Sequence, residues 1–206
     1  MSCHGLKSLF LISCALALMA VSPAFAEATT DIKNAPSGTY QIDPSHTSVT
    51  FKVNHLGFSY YTGRFDKVEA SLDLNSNTPE QSHLDVTLYP NSVDTDNAKL
   101  EEELRGDKWF DVIKYPVATF HATKIERTGN NTGKITGDFT LMGVTHTVVL
   151  DTLFVGTGTH PFTKKQVVGF RATAVLHRSD YRLTNLIPMV GDDVTLQIET
   201  EFNKAD

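Results

Sequence analysis

Residues 45–74 read SHTSVTFKVNHLGFSYYTGRFDKVEASLDL. Val49, Phe51, Val53 and His55 share one parity, and Thr50, Lys52 and Asn54 the other. A period of two predicts a strand with one apolar face and one wet face. Residues 56–62 break the alternation, with Gly57 and Gly63 as punctuation. A second run then sets Val68, Ala70, Leu72 and Leu74 against Lys67, Glu69, Ser71 and Asp73. Phe65 has the opposite parity, which predicts a bulge near Asp66 and Lys67. The two runs together predict a curved antiparallel ribbon.

The rest of the chain repeats this pattern. Tyr40 to Ile42 reads as a short strand, and Asp43-Pro44-Ser45 as a turn. Residues 82–89, 117–126, 134–141, 144–155, 167–177 and 194–202 alternate as well. Gly129 to Gly133 is a hairpin turn, although Asn130-Asn131-Thr132 formally matches a glycosylation acceptor. The period changes once, over Asp96 to Arg105. Ala98, Leu100 and Leu104 sit there among charged residues, behind Asp96 or Asn97 as a cap and before Gly106 as a stop. This predicts one short amphipathic helix near one end of the sheet. About eight strands without a βαβ pattern predict an all-β fold, an eight-stranded antiparallel barrel, with a two-sheet sandwich as the alternative.

The first residues read differently. Lys7 precedes the apolar run Ser8 to Val21, and Ala24-Phe25-Ala26 is a small-residue cleavage site. Residues 1–26 therefore read as a secretory signal peptide, residues 27–37 as a flexible leader, and residues 38–206 as one barrel domain. Leu11-Ile12-Ser13-Cys14 offers a competing lipobox, but its apolar lead-in is very short. The expected location is the periplasm. Cys3 and Cys14 leave with the signal, so no disulfide supports the domain. A net charge of −6 without basic clusters argues against nucleic acid and anionic membranes as partners.

The inward faces mix sizes. Ala70, Ala118, Ala122, Gly137, Ala172 and Ala174 sit beside Phe51, Phe120, Phe139 and Phe170. Eight strands enclose room either for side chains alone or for one small ligand. Large residues facing small ones give a solid core; small residues left unfilled give a long apolar cavity.

Several motifs carry a family resemblance. Asp43-Pro44-Ser45-His46-Thr47, Asn54-His55-Leu56-Gly57-Phe58 and Gly63-Arg64-Phe65 resemble the opening of the YceI-like family. Leu104 to Val112 with Lys114-Tyr115-Pro116, then Gly137 to Thr145, then His177-Arg178-Ser179-Asp180-Tyr181 resemble its later motifs, in order. The resemblance runs from about Gly38 to Phe202. It implies a lipocalin-like barrel, exported to the periplasm, whose tunnel holds a long-tailed amphiphile. A polyisoprenoid, an isoprenoid quinone or a fatty-acid derivative would fit. No enzymatic activity is established for the family as a class; transport, storage and stress response are the roles it suggests. The chain departs from the pattern at His177 and at Tyr181-Arg182, where Asn and Phe-Gly often stand.

On this reading the tail contacts Phe51, Val53, Phe65, Leu72, Leu88, Trp109, Phe120, Phe139, Phe170 and Leu176. Arg64, Arg178, His55 and His177 are the candidates for the head group, since guanidinium and imidazole bind polar heads. The plainer alternatives are core packing for the apolar set, an ion pair between Arg178 and Asp180, and a surface acid for Arg64. His146 joins the histidines at apolar parity. No catalytic residue, metal ligand or cofactor is assigned beyond a non-covalently bound isoprenoid or lipid. No HExxH, HxH or GxSxG motif is present to support a metal site or a hydrolase. An interaction module with a filled barrel is the other function class. A transient membrane contact and a homodimer stay open as partner arrangements. The apolar stretch Asn185 to Val190 serves equally as a lid, a lip or a contact.

Overall fold

The computed structural model describes residues 28–205, so the segment read as a signal peptide and both cysteines lie outside the described residues. The strands in chain order are β1 (Gly38–Ile42), β2 (Ser48–His55), β3 (Ser59–Phe65), β4 (Val68–Leu74), β5 (His83–Leu88) and β6 (Val93–Asp94). The helix α1 (Ala98–Arg105) follows. Then come β7 (Ala118–Arg127), β8 (Thr132–Leu141), β9 (Val144–Thr159), β10 (Gln166–His177) and β11 (Val190–Lys204). All pairings are antiparallel, in the order β1-β4-β5-β7-β8-β9-β10-β11, and β1 pairs with β11 to close the ring. This is a closed eight-stranded barrel with one short helix, not a sandwich.

Three of the eight barrel positions are each built from two strands. β11 pairs with β1 near Phe202 and with β2 between Val190 and Glu199, so β1 and β2 form one interrupted stave. β3 and β4 form a second, and β5 and β6 a third. The interruptions lie side by side. The Asp66 N–H donates to the Ser92 carbonyl (3.0 Å), the Lys67 N–H to Ser92 Oγ (2.9 Å) and the Tyr89 N–H to the Lys67 carbonyl (3.1 Å).

This corrects the reading of residues 45–74. The two alternating runs do not pair with each other. β2 pairs with β3, which occupies much of the stretch read as a break, and β4 turns away to β1 and β5. The parity change at Phe65 marks the junction of two strands in one stave. Alternation in β3 is masked because Tyr61, Gly63 and Phe65 make an inward face that includes a glycine. There a Cβ would overlap the Phe51 ring.

Residues 28–37 also depart from expectation, for they are ordered against the barrel. Thr29 bridges to Thr157 of β9, and Asp31 caps a 3-10 turn at Ile32–Asn34. Ile32 and Ala35 are buried with Tyr40, Val168 and Phe202. They close the end of the barrel opposite α1, where apolar strand ends would otherwise face water.

The helix forms as the sequence predicts. Asn97 Oδ1 accepts the Leu100 N–H at 3.2 Å, and Gly106 ends it. Arg105 donates from Nε to the Asn91 carbonyl and from a terminal nitrogen to the Val93 carbonyl, both at 2.9 Å. β7 begins only at the level of Leu88, so β6 has no strand neighbour on that side. α1 and the Trp109-Phe110 pair complete the wall there with side chains instead of a hydrogen-bonded ladder.

Candidate functional site

The interior holds two chambers. The larger, about 370 Å3, lies at the α1 end; the smaller, about 170 Å3, lies toward the end closed by Ile32. Val49, Val68, Val86, Leu150 and Ile198 line both and form the waist between them. Large and small inward residues interlock only in part. The Phe120 ring occupies the place a Cβ would take at Gly137, and Phe51 does the same at Gly63. Ala118 nevertheless borders the upper chamber, and Ala70 and Ala172 border the lower one.

The upper chamber is walled by aromatic rings from separate elements. Phe51 lies 5.5 Å from Phe65, and Phe65 lies 5.7 Å from Phe110 of the loop after α1. Across the space, Tyr181 sits 5.4 Å from Phe139 and 5.3 Å from His146, each edge-on. Val53, Leu88, Trp109, Phe120 and Leu176 complete the apolar lining. Leu72 and Phe170, also among the candidate tail contacts, line the lower chamber instead. They stand on the part of each strand beyond the waist.

Polar lining is confined to a few side chains. In the upper chamber these are His55, Tyr61, Thr95, Glu103, Arg178 and Tyr181. Tyr61 donates its hydroxyl to the Thr95 carbonyl (3.3 Å), and Trp109 Nε1 donates to Glu103 (3.2 Å). His55 ends β2 at the mouth and is exposed. Tyr181 is 2% exposed, and its hydroxyl has no hydrogen-bond partner among the described residues. Burial, and secondarily the charge of Asp180, push that hydroxyl up to about 12, so it is a neutral donor at any physiological pH.

Arg178 is buried and holds the following loop in place. It donates to the carbonyls of Gly191 (2.8 Å), Val190 (2.8 Å) and Leu183, while its guanidinium lies 5.6 Å from the Trp109 ring centre. It makes no ion pair with Asp180. Burial lowers its affinity for the proton, opposed by the charge of Asp192. Burial pushes the Asp192 carboxyl up, but hydrogen bonds from the Ser179 N–H and hydroxyl, with the nearby His177 and Arg178, leave it net lowered.

Two head-group candidates lie elsewhere. Arg64 points outward because Gly63 and Phe65 point in. It pairs with Asp94 and Asp66, each at 2.9 Å. His177 points outward because Leu176 points in, and it meets Asp193 at 2.8 Å. His146 is exposed and approaches the Asp180 carbonyl at 3.2 Å. Tyr181, Phe110, Leu100 and Leu104 also line the chamber, though none of them is among the candidate ligand contacts. The first signal for Tyr181 was its place in the His177-Arg178-Ser179-Asp180-Tyr181 motif; the others lie in a helix and loop that periodicity places only on the rim.

Asp43, Ser45 and His46 come together near the first interruption, as the residue types of a hydrolase would. The same ring nitrogen, His46 Nδ1, faces both Asp43 (3.1 Å) and Ser45 (3.3 Å), whereas a proton relay needs both ring nitrogens. The cluster is a cap. Asp43 accepts from the Ser45 N–H (2.9 Å) and hydroxyl and from Asn203 (3.1 Å). The Ser45 hydroxyl lowers its carboxyl most, against the opposing effect of burial. Among the described residues no group of three or more His, Cys, Asp or Glu is placed to hold a metal ion.

A YceI-like domain profile matches residues 40–202. The UPF0312 protein of Ectopseudomonas mendocina is 35% identical over 169 residues, covering 81% of this chain and 88% of the relative. The solved YceI protein of Campylobacter jejuni is 33% identical, with a TM-score of 0.66 over 75% of this chain and 91% of that one. A polyisoprenoid binding domain from Saccharophagus degradans shares the fold at 16% identity, with a TM-score of 0.60 over 81% of this chain and 98% of that one.

Proposed function

The chain belongs to the YceI-like family, and from that premise we propose that it binds one long-tailed amphiphile, an isoprenoid or acyl compound, and carries it through the periplasm. The observation that carries this reading is the upper chamber: about 370 Å3, apolar along its walls, with its few polar side chains set near one end. An aqueous solute gains nothing from such walls. A hydrocarbon tail gains about 25 cal/mol for each Å2 of apolar surface removed from water. The tail lies along Phe51, Phe65, Phe120 and Phe139 and threads the waist toward Leu72 and Phe170. The head rests by Tyr181, Arg178 and His55, where a neutral hydroxyl donates to a carbonyl or phosphate oxygen. The polyisoprenoid-binding description of the structural neighbour supports the ligand class. The signal peptide read in residues 1–26 supports the compartment. The reading assigns no catalytic residue.

Native mass spectrometry of protein taken from the periplasm without detergent tests it. A stoichiometric adduct that extracts as a long-chain isoprenoid or acyl compound is the expected result. A bare mass that stays unchanged after incubation with quinones and polyprenyl phosphates overturns the reading. Trp109 is the single tryptophan of the chain and lines the chamber, so its emission reports occupancy independently.

A further inference from the structure

Most of the exposed large apolar side chains stand at one end of the molecule, while Tyr60, Val149, Val155 and Val175 lie on the outer faces of strands. Leu56, Phe58, Ile113, Val117, Leu186 and Met189 stand on three loops at the α1 end; the opposite end shows Phe162. The loops are neighbours. The Leu56 N–H donates to the Met189 carbonyl at 2.8 Å, joining the first tip to the third. The second meets the β8–β9 turn, where a Cβ on Gly143 would lie 3.1 Å from Tyr115. That turn is tied back to the third loop through His146 and the Asp180 carbonyl, 3.2 Å apart.

Charge is divided the same way. Residues 56–62 and 183–191 carry no charged side chain, and residues 112–117 carry only Lys114. In a chain of net charge −6, the acids are kept off the tips. Leu186 belongs to both surfaces: it lines the upper chamber and is 44% exposed. Apolar surface therefore continues from the third tip into the barrel along Leu186.

We infer that this crown seats the mouth of the barrel on a zwitterionic lipid bilayer, so that the amphiphile passes between membrane and tunnel without crossing water; the inference rests on the function proposed above. Phe58 is 88% exposed and Ile113 94%, each projecting singly and not walling a groove. A protein partner needs a fixed complementary shape, whereas the interfacial region of a bilayer is fluid and closes around separate tips. The acidic net charge is repelled by an anionic surface, so the attraction comes from apolar insertion.

The test is co-sedimentation with phosphatidylcholine vesicles, for the wild-type protein and for Phe58→Ser combined with Ile113→Ser. Both side chains are nearly free of the fold, so the double variant keeps its structure. The wild type pellets with the vesicles, and less so as phosphatidylglycerol replaces phosphatidylcholine. The double variant pellets at least about tenfold less, through loss of two inserted apolar side chains. Uptake of a fluorescent fatty acid from solution, read by quenching of Trp109, stays the same in both. A wild type that remains in the supernatant, or a double variant that pellets equally, overturns the inference. So does a wild-type dimer that the double variant converts to monomer without any vesicle binding. Absent Trp109 quenching in both proteins counts against the carrier reading and leaves the sedimentation result to judge the docking surface.

Discussion

The two halves of the barrel are made from the same staves and differ in how continuous those staves are. Toward Ile32, β1, β4, β5 and β7 to β11 run as unbroken neighbours, and Tyr40 and Val168 are wholly buried between them. Toward α1, three staves have been interrupted and restarted, one wall is helix and loop, and the chamber is about 370 Å3 against about 170 Å3. A continuous ladder fixes strand spacing near 4.8 Å and draws the inward side chains together. A wall of side chains sets no such spacing, so the interior widens. The cavity thus follows from where the hydrogen-bonded ladder stops, more than from the number of small residues on the strands.

The comparison breaks most readily at its aromatic residues. Phe154→Ala in the packed half, where the ring is 4% exposed and 5.4 Å from Phe170, is expected to destabilise by about 3–5 kcal/mol. Phe154 borders only the smaller chamber, whereas Phe139 is half-buried beside the larger one, so Phe139→Ala is expected to cost about half as much. Denaturant unfolding of both variants checks the difference, and equal losses would show that the upper half is packed as tightly as the lower. Arg178→Ala removes three hydrogen bonds to the carbonyls of residues 183–191, at a cost of about 2–3 kcal/mol. Hydrogen exchange should rise in that loop and leave β9 and β10 protected near Val168.

Asp43→Asn tests the first interruption. Loss of the charged cap is expected to cost about 1 kcal/mol at neutral pH. Because the folded carboxyl is lowered, its contribution is complete above the ordinary value of about 3.9 and fades as the pH falls through that value toward the folded one. Wild type and variant should therefore converge in acid; a gap that persists there would assign the effect to packing. Tyr181→Phe is the smallest change: it removes no hydrogen bond of the fold, so stability should hold, and it sharpens the question of the head group. Affinity for a carbonyl-headed lipid should fall roughly three- to fivefold while that for a plain hydrocarbon stays put, measured through Trp109. The preference should hold across the physiological range, because burial keeps the hydroxyl protonated.

The sequence by itself determined the all-β class, most strand positions, the helix and its Asn97 cap. These rest on local periodicity and local backbone chemistry, legible within ten residues or so. It also named seven strand residues of the upper chamber's apolar wall, Phe51, Val53, Phe65, Leu88, Phe120, Phe139 and Leu176, because alternation tells inside from outside, and Trp109 beside the helix. Parity read with care would have turned His177 and Arg64 outward too, since each neighbours an inward residue. Only the tertiary structure decided which strands pair, for residues 45–74 alternate equally well whether β2 meets β3 or β4. It alone divided the interior at Val49, Val68, Val86, Leu150 and Ile198, five residues spread over 150 positions of sequence. It alone turned a polar leader into a closing segment and set Arg178 against carbonyls instead of Asp180. The physical reason is common to all four: pattern records which way a side chain faces, while its neighbours are set by closure of the ring.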